Sequence, residues 1–408
     1  MIAKIATNTL FLSFSQIGAR FLGFLYFIFL ARYLGVATFG VYNFTIAFIY
    51  NFVPLADFGL ERLILRDLSR DLRKTNDYLA RLIPLKTILS LVAYFMALGL
   101  ALILGQSFKQ IIYLAIFGLF IFPYNFNSLL STIQNAREKM KYFSLVIIFG
   151  QLFTVIIGTI FIFFHLSLYL IFLAPFLGNM LISLILIAQS SKWNLKLAWK
   201  FDKKFCQEIL SQSWAFAVIL ILAVVYLRIS LILVGMFKGD YYVGLYSSVF
   251  KFVEALILVP QSLALALFPL TSRLFIDDKK KLQELYLKTL TILFLIALPV
   301  ATIFIIFPDL IISLAYGSSY LPVVPVLTIL GVSLIFFFLN SLPGNIIQNS
   351  QEYKKFIPWA ILNLAITLVA GLFLIPRFSI IGAAWTVLIG ETCGFFINNL
   401  FVWKILKK

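Results

Sequence analysis

The chain has 408 residues, 62% of them hydrophobic and only 12% charged, with a formal net charge of +17. A soluble protein carries about 25% charged residues, so this composition excludes a soluble globular fold and requires lipid around the chain. The basic excess would suggest nucleic acid in a soluble protein, but here the positions of the charges decide otherwise.

Apolar runs between charged clusters reach the ~20 helical residues that cross a hydrocarbon core of about 30 Å. They lack the strict alternation of barrel strands, so helices are the spanning element. Twelve spans are predicted: 9–31, 39–60, 82–105, 111–134, 143–164, 168–190, 213–237, 242–271, 286–313, 322–347, 356–376 and 380–403. Of the 33 Lys and Arg residues, 24 fall in alternate loops and the two tails, and the opposite loops hold only Arg32, Lys109, Lys238 and Arg377. This bias places both termini in the cytoplasm by the positive-inside rule. The expected location is the plasma (inner) membrane, with many passes. The first apolar run continues past Arg20 to Leu30, longer than the apolar core of a signal peptide.

In chain order, the first span is unusually polar, with Ser13, Ser15, Gln16, Gly18 and Gly23 around Arg20. A tight outer turn follows: Gly35, four residues, Gly40, Val41, Tyr42. Asp57 and Glu61 stand at the inner end of the second span and read as solvated interface residues. The segment 61–81 mixes both charge signs and reads as a solvated interfacial helix. Asn125, Asn127 and Gln134, with Pro123, mark an interrupted polar helix in the fourth span. The stretch 191–212 carries Trp193 and Trp199 among five lysines, a pattern expected of an amphipathic helix lying on anionic headgroups.

The second half repeats the first. Gly239, four residues, Gly244, Leu245, Tyr246 repeats the outer turn at an offset of 204; Leu287-Lys288-Thr289 repeats Leu85-Lys86-Thr87 at 202; Gln348-Asn349 repeats Gln134-Asn135 at 214. Six spans per half means that both halves enter from the same side, a parallel repeat. The predicted fold is an all-α polytopic membrane protein with a lobe at 1–190, a cytoplasmic basic linker at 191–212 and a second lobe at 213–408.

No catalytic or metal motif occurs. His165 is the only histidine, and Cys206 and Cys393 lie far apart in unlike surroundings. Chemistry then rests on ionisable groups inside the spans, which are costly there and face a cavity or a partner. Arg20 and Arg228 lie 15 and 11 residues before the repeated glycines, a difference of about one helical turn. They therefore use the same helix face in the two halves. Guanidinium forks suit phosphate oxygens, and packing partners are the competing use. Lys251 and Glu254, three residues apart, either pair with each other or supply a third cation and a carboxylate for H⁺ or Na⁺ coupling. Lys86 and Lys288 either snorkel or guide an anionic headgroup. Glu391, deep in the last span, is a second candidate for coupling. Asn340, Asn345 and Gln348 around Pro343 form the repeat partner of the broken fourth span. With Asn125 and Asn127 they are candidates for sugar contacts or for helix packing. No organic cofactor is expected.

Several of these stretches resemble a known family. Ala31-Arg32-Tyr33-Leu34-Gly35, Phe39-Gly40-Val41-Tyr42, Asp57-Phe58-Gly59-Leu60 with Arg66-Asp67-Leu68-Ser69-Arg70, Tyr316-Gly317-Ser318-Ser319-Tyr320 and Ile381-Gly382-Ala383-Ala384-Trp385 resemble polysaccharide biosynthesis (Wzx-type, O-antigen) flippases. These belong to the multidrug/oligosaccharidyl-lipid/polysaccharide (MOP) exporter superfamily. The resemblance implies a twelve-helix, two-lobed, MATE-like transporter, not an enzyme. It implies transfer of a polyprenyl-diphosphate-linked oligosaccharide to the outer leaflet, with Arg20, Arg228 and Lys251 in a cationic central cavity. Membrane lipids are further partners, with a glycan polymerase or glycosyltransferases of the same pathway as candidates. The chain is expected to act as a monomer. A multidrug/cation antiporter is the alternative; it would carry acids in its cavity, where the first span has Arg20. A membrane-embedded glycan polymerase or ligase would need a sizeable outer loop, and the predicted outer loops are short.

Overall fold

A computed structural model describes residues 2–137, 140–350 and 353–407. Among these residues the chain is helical and contains no strand. The helices are α1 (Ile2–Tyr50), α2 (Val53–Asp57), α3 (Leu60–Arg70), α4 (Thr75–Ile103), α5 (Phe108–Gly118), α6 (Ile121–Ala136), α7 (Met140–Phe163), α8 (Leu168–Ser190), α9 (Lys203–Lys238), α10 (Asp240–Leu256), α11 (Leu258–Asp277), α12 (Lys279–Ile306), α13 (Pro308–Tyr316), α14 (Val324–Asn340), α15 (Pro343–Asn349) and α16 (Ile357–Leu406). Among the described residues, ten helical runs are long and apolar enough to cross a membrane. Two of these, Phe21–Arg70 and Lys354–Leu406, are about twice the usual length and break inside, at Gly35 and at Ser379. Counting each as two gives the twelve spans expected.

The breaks have local causes. Gly35 (φ 72°, ψ 163°) and Gly239 (φ 83°, ψ −179°) adopt nearly the same non-helical conformation, which a residue without a Cβ enters cheaply. The repeat seen in the sequence is thus also a repeat of backbone shape. Other breaks precede prolines, which lack the N–H and crowd the preceding turn. The chain breaks between α5 and α6 before Pro123 and between α14 and α15 at Pro343. The same happens before Pro54 and before Pro260.

By internal contact density the chain divides into two units. One comprises Met1–Phe27 and Thr45–Val225, the other Ile28–Phe44 and Tyr226–Lys408. In the first unit, Leu60, Leu63, Ile64 and Leu68 of α3 are almost fully buried against Leu129, Leu130 and Ile133 of α6. The opposite face of α3 carries exposed Arg62, Arg66 and Arg70. The expected interfacial helix is therefore amphipathic, with one side in the core. Ala93, Ala97 and Ala101 of α4, four residues apart, have no exposed surface. Ala297 and Ala301 repeat them on α12 in the second unit. Small residues at this spacing let helix backbones approach in lipid, where packing replaces the hydrophobic drive.

In the second unit the two outer-turn motifs meet. A Cβ on Gly40 would run into the Asp240 carbonyl and stand 2.8 Å from the Gly244 nitrogen. A Cβ on Gly244 would run into the Val36 carbonyl and stand 3.1 Å from the Gly40 nitrogen. The contact is reciprocal, backbone against backbone. Arg32 donates to the Ala315 carbonyl (2.8 Å) and to that of Leu314, and Tyr320 donates to the Ala31 carbonyl (2.9 Å). Segment 28–44 is thereby fastened within this unit.

The linker departs from expectation. Instead of an amphipathic helix over 191–212, Ser191–Trp193 forms one 3₁₀ turn, 194–202 runs without helix, and α9 starts at Lys203. Specific bonds hold the non-helical stretch along the start of α4. The Asn76 amide donates to the Asn194 carbonyl and accepts from the Lys196 N–H, both at 3.1 Å, while the Lys200 N–H donates to the Ala80 carbonyl (3.0 Å). Arg81 pairs with Asp202 (3.3 Å) and lies over the Phe205 ring. These tertiary bonds outcompete the modest propensity of a short, lysine-rich segment to be helical.

Asp202 accepts the Phe205 N–H and Asp278 accepts the Lys281 N–H, capping α9 and α12. These backbone hydrogen bonds hold both carboxyls below the usual aspartate range. Such groups add stability fully above their unfolded value, near about pH 4, and lose it as pH falls through the lower folded value. The melting temperature is expected to drop between pH 5 and pH 3. Asp202→Asn with Asp278→Asn, which keeps the caps but removes the titration, should flatten part of that drop in a thermal melt.

Candidate functional site

Among the described residues, three clusters built around charged side chains lie within the helices, two in the second unit and one in the first. On α9 and α10, Glu254 uses both carboxylate oxygens. One lies 2.9 Å from Lys251 Nζ and the other 3.8 Å from Arg228 Nη2. The Lys251–Glu254 pairing foreseen as one of two options is formed, and Arg228 joins it. The three charges leave a net of +1. The side chains are 20–30% exposed, so the cluster is reachable and not sealed in a core.

The second cluster surrounds Glu391 of α16, which is 3% exposed. Tyr226 donates its hydroxyl to one carboxylate oxygen (2.8 Å), and the Asn340 amide donates to the other (2.8 Å) and to the Glu391 carbonyl (2.9 Å). Asn398 in turn donates to Asn340 Oδ1 (3.2 Å). A small recess beside this carboxylate is lined by Tyr226, Ser230, Phe250 and Thr367. Tyr226 and Ser230, one turn apart on α9, face the recess; Arg228, between them in sequence, uses another face of the helix. The break after Asn340 ends α14 beside this carboxylate. Tyr226 was not singled out from sequence, since a tyrosine inside an apolar run carries no local signal.

The third cluster belongs to the first unit. Lys86 is 3% exposed and donates to Asp57 Oδ1 (2.8 Å), Asn125 Oδ1 (2.9 Å) and Ser128 Oγ (3.4 Å). An ammonium has three donors, and all three are used here. Ser128 donates onward to Glu61. Two expectations are corrected. Lys86 does not snorkel toward headgroups, and Asp57 is not a solvated interface residue but the counter-ion of a buried lysine. The repeat partner Lys288 is exposed. Of the two lysines, alike in sequence, Lys86 alone meets an aspartate among the described residues.

The amides expected to meet sugars are largely committed inside the units. Asn125 Nδ2 donates to Ala56 O and Ser90 Oγ (both 2.8 Å) and to Lys86 O (3.2 Å). Asn127 donates to the Asn179 carbonyl (2.8 Å) and accepts from Ser183 (2.8 Å). With Asn340 on Glu391, these three serve helix packing, the other use considered for them. The side chains of Arg20, Asn345 and Gln348 lie outside the described residues. Among the described residues no group of three or more His, Cys, Asp or Glu is arranged to hold a metal ion.

Long kinked helices in a repeated six-span plan, with ionisable clusters inside them, make a polytopic membrane protein. Solved structures share the fold. An inward-facing multidrug resistance MATE family transporter of the MOP superfamily aligns with a TM-score of 0.77 at 15% identity, covering 96% of each chain. The lipid II flippase MurJ in an inward closed conformation aligns at 0.76 and 18% identity, covering 97% of this chain and 89% of that one. A protein of Shigella flexneri described as "Putative O-antigen transporter" is 26% identical over 382 residues, 88% of each chain. The polysaccharide biosynthesis protein family matches over residues 5–275, and the MatE family over 215–376. The chain belongs to the polysaccharide biosynthesis protein family.

Proposed function

We propose that this protein is a flippase that moves a polyprenyl-diphosphate-linked oligosaccharide from the cytoplasmic to the outer leaflet, by alternating access, for assembly of a cell-surface glycan. The observation that carries the reading is the reachable Arg228–Lys251 pair within the spans, since a cation pair at that depth suits a diphosphate. Arg20, at the matched position of the repeat, is assigned as a further phosphate-binding cation. Similarity to the Shigella protein supports a lipid-linked glycan as cargo. The lipid tail stays in the bilayer, so only the headgroup needs a polar path. Both termini are assigned to the cytoplasm of the inner-membrane side, from the distribution of Lys and Arg.

The test is complementation of a strain lacking its own flippase. Accumulation of the complete lipid-linked unit in the cytoplasmic leaflet should be relieved by this protein. It should not be relieved by Arg228→Ala with Lys251→Ala at matched expression. Full activity of that variant, and of Arg20→Ala, rules out diphosphate binding by these cations.

Coupling to H⁺ or Na⁺ is assigned to Glu391, a carboxylate held by two neutral donors. Glu391→Gln should fold, because an amide can keep hydrogen bonds to Asn340 and Tyr226. It should lose the dependence of flipping on an imposed ion gradient in proteoliposomes. The match to the MatE family over 215–376 favours a second reading, a multidrug/cation antiporter. That reading predicts drug sensitivity with normal glycans on deletion, the opposite of the flippase outcome.

A further inference from the structure

We propose that Glu254 determines specificity in the Arg228–Lys251 site: it is a built-in counter-anion that keeps singly charged phospholipid headgroups out and gives way to a diphosphate. This rests on the diphosphate reading above and says how that reading is made selective.

A bilayer presents the transporter with phosphodiester headgroups in vast excess over any lipid-linked glycan. A bare arginine–lysine pair within the membrane would bind them, because the contact is one charge-assisted hydrogen bond to a phosphate oxygen. Glu254 changes that competition. Its two oxygens address two cations on two helices, at 2.9 Å and 3.8 Å. A phosphodiester carries one negative charge on one phosphorus, the same charge as the carboxylate. Displacing Glu254 with it gains no charge and sacrifices a partner that is already tethered in place. A diphosphate diester carries two charges on two phosphorus atoms. It can give one phosphate to the guanidinium fork and the other to the ammonium, so both cations are satisfied at once. Discrimination is a difference of affinities, and a group that opposes the wrong ligand supplies it as well as one that favours the right ligand. The partial exposure of all three side chains, between 20 and 30%, is what such an exchange requires.

The experiment uses the full-length protein in nanodiscs of zwitterionic lipid. Two probes are titrated: farnesyl-diphosphate-N-acetylglucosamine as the diphosphate diester, and short-chain phosphatidylglycerol as the monoanionic phosphodiester. The natural protein should prefer the diphosphate. Glu254→Gln, similar in shape but uncharged, should bind both probes more tightly and phosphatidylglycerol disproportionately so. The preference should fall by about tenfold or more, on the scale of coupling between close charge pairs. Glu254→Asp, too short to address both cations, gives a second measurement that keeps the charge and should show an intermediate preference. If the natural protein prefers the diphosphate and neither variant alters the preference, the role of Glu254 is wrong while the diphosphate reading stands. If the natural protein shows no preference at all, the diphosphate reading falls, and this inference with it.

Discussion

Lys86→Met is expected to remove most of the folded protein, with a destabilisation of about 3–5 kcal/mol, the usual cost of leaving a buried charge without its partner. The reason lies in what the ammonium holds. Its three protons go to Asp57 at the end of α2 and to Asn125 and Ser128 of α6, while its own backbone is in α4. Methionine fills similar space but leaves the 14%-exposed Asp57 carboxylate with no cation and Asn125 Oδ1 with no donor. Asp57→Asn in the same chain should restore part of the loss, because a neutral amide replaces the stranded charge. The matched change in the other half, Lys288→Met, should be close to neutral, since that side chain is exposed. Thermal unfolding followed by size-exclusion fluorescence reads all three variants. Equal losses for Lys86→Met and Lys288→Met would contradict the buried network.

Gly40→Ala and Gly244→Ala are expected to be comparably damaging, each lowering stability by roughly 3 kcal/mol or more, at or beyond the upper end of overpacking costs. At both positions the obstructing atoms are backbone: the Asp240 carbonyl for Gly40 and the Val36 carbonyl for Gly244. A side chain can rotate away from a new methyl group, but a helix backbone must shift as a whole. Because the two glycines share one crossing, the double variant should cost less than the sum of the singles; once the helices have separated, the second methyl meets less. Gly99→Ala is the control. It sits inside α4, and a Cβ there meets nothing within 4 Å. Helix propensity alone should then stabilise it by up to about 1 kcal/mol. A melting temperature for Gly40→Ala as high as for Gly99→Ala would refute the close crossing.

The composition, the twelve spans, the parallel repeat and the matched helix breaks were all legible before any coordinates. They depend on local properties: hydropathy over about 20 residues, the conformational freedom of Gly35 and Gly239, and the missing N–H of Pro123 and Pro343. The presence of ionisable residues within the helices is legible in the same way, but for Asp57 and Lys86 their surroundings are not. The linker departs from its sequence pattern because lysines and tryptophans at helical spacing describe what 191–202 would do alone. Asn76, Ala80 and Arg81, distant in sequence, supply the bonds that hold it non-helical.

Pairing was decided only by the tertiary structure. Lys86 and Lys288 are equivalent in the repeat, yet one is buried on Asp57 and the other is exposed. Glu391 meets Tyr226 across 165 residues, and no property of either residue's neighbours announces it. An ion pair or a buried hydrogen bond depends on which faces of which helices meet, and that is set by packing across the whole unit. The sequence by itself therefore determined that this is a two-fold repeated polytopic membrane protein with cations inside its spans. The folded chain decided which of those charges are sealed in holding helices together, and which, as at Arg228, Lys251 and Glu254, keep part of their side chains exposed.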